Sequence, residues 1–382
     1  MKTTATRQRG MSLIEIMVGV LIGLIGCVII FQVYGTAEAR KRSVASGSDM
    51  DISGRLGLMT LERDIQLAGY GFGTGASSTA GVGGVLGCTV TAYDTTRAGG
   101  LQDFTFPLVP VIIQDGVGGA PDTIITLRGT SSFVVAPKII DASAATTKRL
   151  KDATGGRAGV LRGDLVVAVT YNPALACAMF EITGDTNADQ LTFDHATGNY
   201  TTAAGVNKGA RYNKAGGVAF DLDGEGGLFN LGANPVRNVW SIQDNKLAVA
   251  NDLLASGQMD AADLVVDLQA QYGLDGANGG LVDGMIAEDE WTNVAPADPA
   301  QWAQLLAVRF ALLTRSTQYE TTKVTTDNPR WSADEFTMTN IDGTADTNPG
   351  GTSGDVNNWR NYRYNVFESV VPVRNTIIGS KF

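Results

Sequence analysis

One histidine and three cysteines in 382 residues leave this chain poorly stocked for metal or acid–base chemistry. Protein zinc sites are built mainly from those two side chains, and Cys27 lies inside an apolar run. Histidine-based catalysis would rest on His195 alone, in the polar stretch FDHATGN, which reads as a solvated loop. There is no Walker-type loop, no GxSxG and no GxGxxG ahead of a helix. The phrase GYGFGTG follows a helical stretch instead of opening one, so it is not a phosphate loop. Positive charge is also short. With 29 Lys and Arg against 39 Asp and Glu, the formal charge is −10, which argues against nucleic acid as a direct partner of the surface. Trp240, Trp291 and Trp302 are scattered, and read as core or interface anchors and not as a base-stacking platform. No internal repeat is present. The chain does not read as an enzyme.

Glycine, by contrast, is abundant at 47 residues, mostly in clusters after residue 68. This favours a β-rich, loop-rich body. Before it lies a different kind of sequence. Residues 1–10 carry Lys2, Arg7 and Arg9 and no acid, and from Ile16 to Ala37 nothing is charged. At about 1.5 Å per residue this run can cross a hydrocarbon core of roughly 30 Å. The basic leader then stays cytoplasmic and the body after Arg40 lies outside. Glu15 sits near the start of the apolar run, where an isolated carboxylate is costly and points to a specific partner.

A secretory signal is cut after its apolar stretch. Here the order is reversed, and RGMSLIE resembles the prepilin-peptidase site of the type IV pilin family, with Gly10 before the cut, Met11 after it and Glu15 at the fifth mature position. The resemblance implies cleavage after Gly10 and N-methylation of Met11. The leader carries three positive charges and no negative ones, so cleavage takes the net charge from −10 to −13. The resemblance also implies that the Glu15 carboxylate neutralises the terminal ammonium of a neighbouring subunit, a pairing that makes a buried charge tolerable.

The helix is expected to run to about Ala68. Arg40, Lys41 and Arg42 form a basic cluster that reads as a solvated helix turn. Beyond it, Ile52, Leu56, Met59 and Leu67 share one stripe, and Leu58, Leu61, Ile65 and Ala68 share the opposite one. Asp51, Arg55 and Glu62 line a strip between them. Such a helix needs two covers: its own body on one side and neighbouring helices on the other. Burial of the whole segment in one domain is the alternative.

After GYGFGTGASS, strands are expected at Thr123–Leu127, Phe133–Val135, Asp164–Thr170, Met179–Thr183, Val236–Ser241, Lys246–Ala250 and Asp263–Gln269. In Leu306–Arg315, Leu306, Val308, Phe310 and Leu312 face one way and Arg309 and Arg315 the other. The last strand is expected at Tyr362–Val373, cut by Pro372, which should sit at an edge or an end. The polar stretches 184–214 and 327–358 read as long surface loops. For Cys88 and Cys177 two readings stand: a disulfide, if the body lies outside the cytoplasm, or two separate buried thiols. Asp221, Asp223 and Glu225 in FDLDGEGG offer three hard oxygens in a tight turn, a weak calcium candidate. An EF-hand is excluded, since its twelfth position is Gly232. Asp275 with Asn278, and Asp342 with Asp346, read first as Asp-Gly turns.

Several segments, in order from RLGLMTLERDIQLAGY through GDLVVAVT, YGLDGANGG and WAQLLAVRFALLTRS to YRYNVFESVVPVRN, are similar to the PilW-type minor pilins of type IV pilus assembly. Those in turn resemble the GspJ-type minor pseudopilins of type II secretion, usually shorter chains, and that is the alternative function. The resemblance implies an α+β, type IV pilin-like fold. Residues 1–10 would be the leader, 11–37 the transmembrane half of the helix, 38–68 its periplasmic half and 69–382 a large antiparallel β-rich periplasmic body. It implies a chain that waits in the inner membrane and then enters the pilus at or near its tip. Its partners would be prepilin peptidase, other minor pilins, the major pilin and a PilY-type tip adhesin. No cofactor is implied.

Overall fold

In the computed structural model the described residues are 11–76, 84–98, 100–131, 137–151, 159–172, 175–185, 191–218, 220–341 and 358–379. Gly10, the expected strand Phe133–Val135 and the turn residues Asp342 and Asp346 lie outside them. The chain opens with one continuous helix, Leu13–Leu67, of 55 residues. At about 1.5 Å per residue it is roughly 80 Å long. Gly69 ends it with φ of 81°, and its amide donates to Leu127 O at 2.8 Å. A left-handed residue there costs glycine little, and it turns the chain off the helix axis. Asn375 Nδ2 caps the free carbonyls of Leu67 and Ala68 at 3.3 and 2.9 Å.

The body is an assembly of sheets. A five-stranded antiparallel sheet runs in the order Met259–Asp263, Lys246–Asn251, Val236–Gln243, Thr123–Arg128, Val111–Gln114. A four-stranded one runs Trp291–Thr292, Val265–Leu274, Leu305–Arg315, Tyr364–Pro372. These two sheets carry the helix. An eight-stranded sheet completes the body, with Leu165–Thr170 and Gly226–Gly232 at its centre and one parallel pair, Thr89–Tyr93 beside Cys177–Glu181. Every residue of Leu165–Thr170 is buried. One face of that strand enters the main core through Leu165, Val167 and Val169. The other face, with Val166 and Ala168, joins Phe180, Phe193 and Leu228 in a second core. Burial on both faces is why its sequence is a continuous apolar run.

Several expectations change. Asp263–Gln269 is not one strand: Leu264 takes φ of 62°, so the chain leaves the five-stranded sheet at Asp263 and enters the four-stranded one at Val265. Leu305–Arg315 is buried on both faces, because Trp331, Phe336 and Met338 from the polar stretch 327–341 cover its second face with Ala311 and Leu313. Arg309 is therefore buried, its guanidinium lying between the Trp291 and Trp331 rings. The strand Tyr364–Pro372 is an edge strand, and Pro372 is its last residue.

Candidate assembly interface

The helix divides into a free part and a docked part. From Met11 to Val44 the side chains are exposed almost throughout. The apolar stretch within it is long and hydrophobic enough to cross a membrane, and none of it is covered by the body. Met11 and Glu15 stand exposed at its start. The Glu15 amide closes the first turn on Ser12 O at 3.0 Å. In the basic cluster, Arg42 pairs with Glu38 one turn back at 3.3 Å, both exposed.

Docking begins at Ser46, whose Oγ accepts from the Thr317 amide at 3.2 Å. Burial then recurs at Met50, Gly54, Gly57, Leu61, Asp64, Ile65 and Ala68, one face of a 3.6-residue period. Leu61, Ile65 and Ala68 fill the main core. The two glycines set the distance of approach: a Cβ at Gly54 would overlap the Phe367 ring, and one at Gly57 would press on Leu312 at 3.1 Å. The intervening polar strip is used as well. Asp51 accepts from Asn365 Nδ2 at 3.1 Å and pairs with Arg55 at 3.3 Å, while Glu62 accepts from the Ser369 hydroxyl. Helix and last strand thus run side by side in the same direction. The opposite stripe, Ile52, Leu56, Met59 and Leu67, stays exposed. The body covers one of the two apolar sides.

Asp64 is the residue that sequence reasoning missed. It is buried, and its Oδ2 accepts from Thr126 Oγ1 at 2.5 Å, Trp240 Nε1 at 2.8 Å and Asn238 Nδ2 at 2.9 Å. Arg128 Nε lies 3.6 Å from Oδ1. A carboxylate that takes three donors from two neighbouring strands fixes the helix in both rotation and height. The signal was an acid, spaced i, i+3 after Leu61, inside the apolar stripe.

Cys88 and Cys177 are joined, with S–S 2.06 Å and Cα–Cα 6.0 Å, and Cys27 is free and exposed on the projecting helix. Asp221, Asp223 and Glu225 do not converge. Glu225 pairs with Lys151, and Asp223 accepts from Asn172 Nδ2 at 3.0 Å. Among the described residues no group of three or more His, Cys, Asp or Glu is placed to hold a metal. Asp275 sits in a turn, but its carboxylate accepts from the Asp283 and Gly284 amides, both at 2.9 Å, and not from its own turn.

His195 is not a solvated loop residue. The 184–214 stretch contains the short strands Thr192–Asp194, Asn199–Thr201 and Asn207–Gly209 and buries His195, Tyr212 and Asn213. The His195 ring stacks on Phe180 at 4.1 Å, and Lys148 Nζ approaches its Nε2 at 2.9 Å. Burial pulls the imidazole pKa down to about 3, helped by the Lys148 charge, and burial pulls Lys148 down to about 8. The ring is neutral, with Nε2 assigned as acceptor from the lysine that donates to it. The pair is buried against Phe180 of the second core.

Two family models match this arrangement. Residues 5–31 match the prokaryotic N-terminal methylation motif, which spans the free end of the helix with Met11 and Glu15. Residues 236–375 match the type IV pilus-assembly protein W, PilW. That part of the chain is similar to PilW. The match takes in every strand of the four-stranded sheet and three strands of the five-stranded one, which together hold most of the helix's docking surface. With the methylation motif it makes these parts of the chain similar to type IV pilus proteins, and the long apolar helix followed by an antiparallel β-rich body is consistent with an α+β, pilin-like fold. The central strands of the eight-stranded sheet lie outside the PilW match. No curated protein and no solved structure matches the chain.

Proposed function

We propose that this chain is a minor pilin that primes type IV pilus assembly and enters the fibre at or near its tip. The observation that carries the reading is a helix bearing the methylation motif whose first half stands uncovered while its second half is fixed to the part of the body similar to PilW. In this reading prepilin peptidase cuts after Gly10 and methylates Met11. Residues 11–37 lie in the inner membrane and residues 38–68 continue the helix into the periplasm beside the body. The Glu15 carboxylate takes the terminal ammonium of a neighbouring subunit, which removes an unpaired charge from low dielectric. The exposed stripe Ile52, Leu56, Met59 and Leu67 packs on helices of other minor pilins or the major pilin. The work of extraction comes from other proteins; this chain lowers the barrier to placing the first subunits. A PilY-type adhesin on the tip complex would link it to motility or adhesion.

Mass spectrometry of sheared surface filaments tests the reading. A low-abundance chain beginning at N-methylated Met11 is expected. The same mature peptide confined to membranes would move the assignment to a type II secretion pseudopilin, and an intact Met1 would overturn processing. Gly10→Arg should leave the long form. Glu15→Val should leave cleavage intact and weaken incorporation; unchanged incorporation would refute the pairing.

A further inference from the structure

At the end of the body where the helix stops, the four-stranded sheet gives rise to a long connection from Leu274 to Leu305. Asn375, just past Pro372, caps the helix at this same end, while Ser46 and Thr317 mark the opposite end, where the helix leaves. Leu281, Val282 and Met285 in this connection are 80%, 69% and 67% exposed. Apolar side chains on a loop this exposed would ordinarily fold inward or hang on a mobile backbone. Here the backbone is held by two buried carboxylates. Asp275 takes the Asp283 and Gly284 amides at 2.9 Å, and Glu290 takes the Gly276 and Ala287 amides at 2.8 and 2.7 Å. Four charge-assisted hydrogen bonds fix the segment that presents the three side chains. Burying two acids to hold a loop outward is a cost to stability, offset when the loop has something to meet.

The charge around it narrows what that is. Between Lys246 and Arg309 there is no Lys or Arg, and residues 275–304 contain six acids. Asp275 and Glu290 are committed inside the loop, and Glu288 pairs with Arg309 at 3.0 Å. Asp298 caps the short helix Pro299–Ala303 through the Gln301 amide at 2.9 Å, and Asp283 and Asp289 remain exposed in the segment of Leu281, Val282 and Met285. An acidic rim disfavours anionic lipid and nucleic acid and steers a basic surface. We propose that the Leu281–Met285 loop is a docking surface for a protein partner with an apolar depression ringed by Lys or Arg, which receives these side chains as knobs. The proposal stands on the loop's own geometry and charge, and does not require the pilus reading.

The test places the photo-crosslinker p-benzoyl-phenylalanine at Met285 in the full-length chain in its own cells, with Leu101 as an exposed control position. Mass spectrometry then reads the partner peptide. The expected result is a protein adduct, absent from Leu101, whose crosslinked residue lies in an apolar depression bordered by Lys or Arg. Leu281→Ser with Val282→Ser, and separately Asp289→Lys, should each cut its yield at least about fivefold, because one removes the buried area and the other the complementary charge. These side chains are exposed, so both variants should accumulate like the wild-type chain. An adduct to lipid, to a second copy through its own acidic loop or to a site without basic residues would overturn the proposal. So would yields that the substitutions leave unchanged, or no adduct above the Leu101 control.

Discussion

Replacing Asp64 with Ala should loosen the helix from the body more than any other single polar change on it. The substitution leaves the Thr126 hydroxyl, the Trp240 indole N–H and the Asn238 amide facing an apolar gap, and leaves Arg128 without its carboxylate. A buried donor without a partner costs about 1–3 kcal/mol, and breaking a buried charged cluster by removing one member costs about 3–5 kcal/mol. The two figures describe the same event, so about 4 kcal/mol is the expectation. For a body of this size that lowers Tm by about 6 °C, from an unfolding entropy of roughly 2 cal/mol/K per residue. The assay is urea unfolding of the full chain in detergent, followed by tryptophan emission, since Trp240 loses its hydrogen bond directly. Asp51→Ala serves as the control: its partners are exposed, and it should cost under about 1 kcal/mol. A loss for Asp64→Ala no larger than that for Asp51→Ala would refute the view that this carboxylate fixes the helix.

Two helix glycines should respond in opposite directions. Gly47 has open space where a Cβ would go, so Gly47→Ala should stabilise by about 0.5–1 kcal/mol through helix propensity. Gly54→Ala must displace the Phe367 ring and should destabilise by about 1–2 kcal/mol despite the same propensity gain; equal shifts in urea midpoint would contradict the close approach. The Cys88–Cys177 bond closes a loop 89 residues apart in sequence, so the Cys88→Ala, Cys177→Ala double variant should lose about 3–4 kcal/mol in thermal or urea melts. A loss under about 1 kcal/mol would mean the closed loop constrains the unfolded chain very little. His195 is buried neutral with its pKa near 3, below the value near 6.5 of an unfolded chain. The unfolded state therefore gains a proton first, and stability contributed by this residue is full above pH 6.5 and lost as pH falls toward 3. His195→Gln should flatten the fall in urea midpoint between pH 6.5 and 4 by up to about 1.4 kcal/mol per pH unit, one proton's worth; an unchanged slope would show that the ring is protonated in the folded state.

The helix was readable to within a residue or two of its end, because its signals are local: an uncharged run, a 3.6 period and a glycine cluster. The apolar strands Thr123–Arg128, Leu165–Thr170 and Val236–Gln243 were readable for the same reason. Gly226–Gly232 was not, because three of its seven residues are glycine and its burial comes from neighbours on both sides. The inside position of Arg309 depends on Trp331, twenty-two residues away, folding over the sheet, and no period in its own strand announces that. His195 was misread on composition: polar residues surround it in sequence, but Phe180 and Lys148 surround it in space. At the candidate interface Met11 and Glu15 follow from a short motif, while Asp64 and the carboxylates that brace the 275–304 loop depend on contacts between distant parts of the chain.

The docking of the helix on the last strand has a consequence for how the molecule is made. Asp51 meets Asn365 across 314 positions, and Leu67 and Ala68 are capped by Asn375. The first element to leave the ribosome therefore waits for almost the last before the cover of its buried face is complete. Until then Asp64 can already reach Thr126, Asn238 and Trp240, but Asp51, Gly54 and Glu62 lack Asn365, Phe367 and Ser369, and the end of the helix lacks its cap. A subunit truncated or stalled before residue 364 would leave the strip around Asp51, Gly54 and Glu62 open to neighbours beside the stripe that is always exposed. Only a chain that has added the strand Tyr364–Pro372 leaves Ile52, Leu56, Met59 and Leu67 as its open stripe alone, so completion of the body decides which face of the helix remains for others to use.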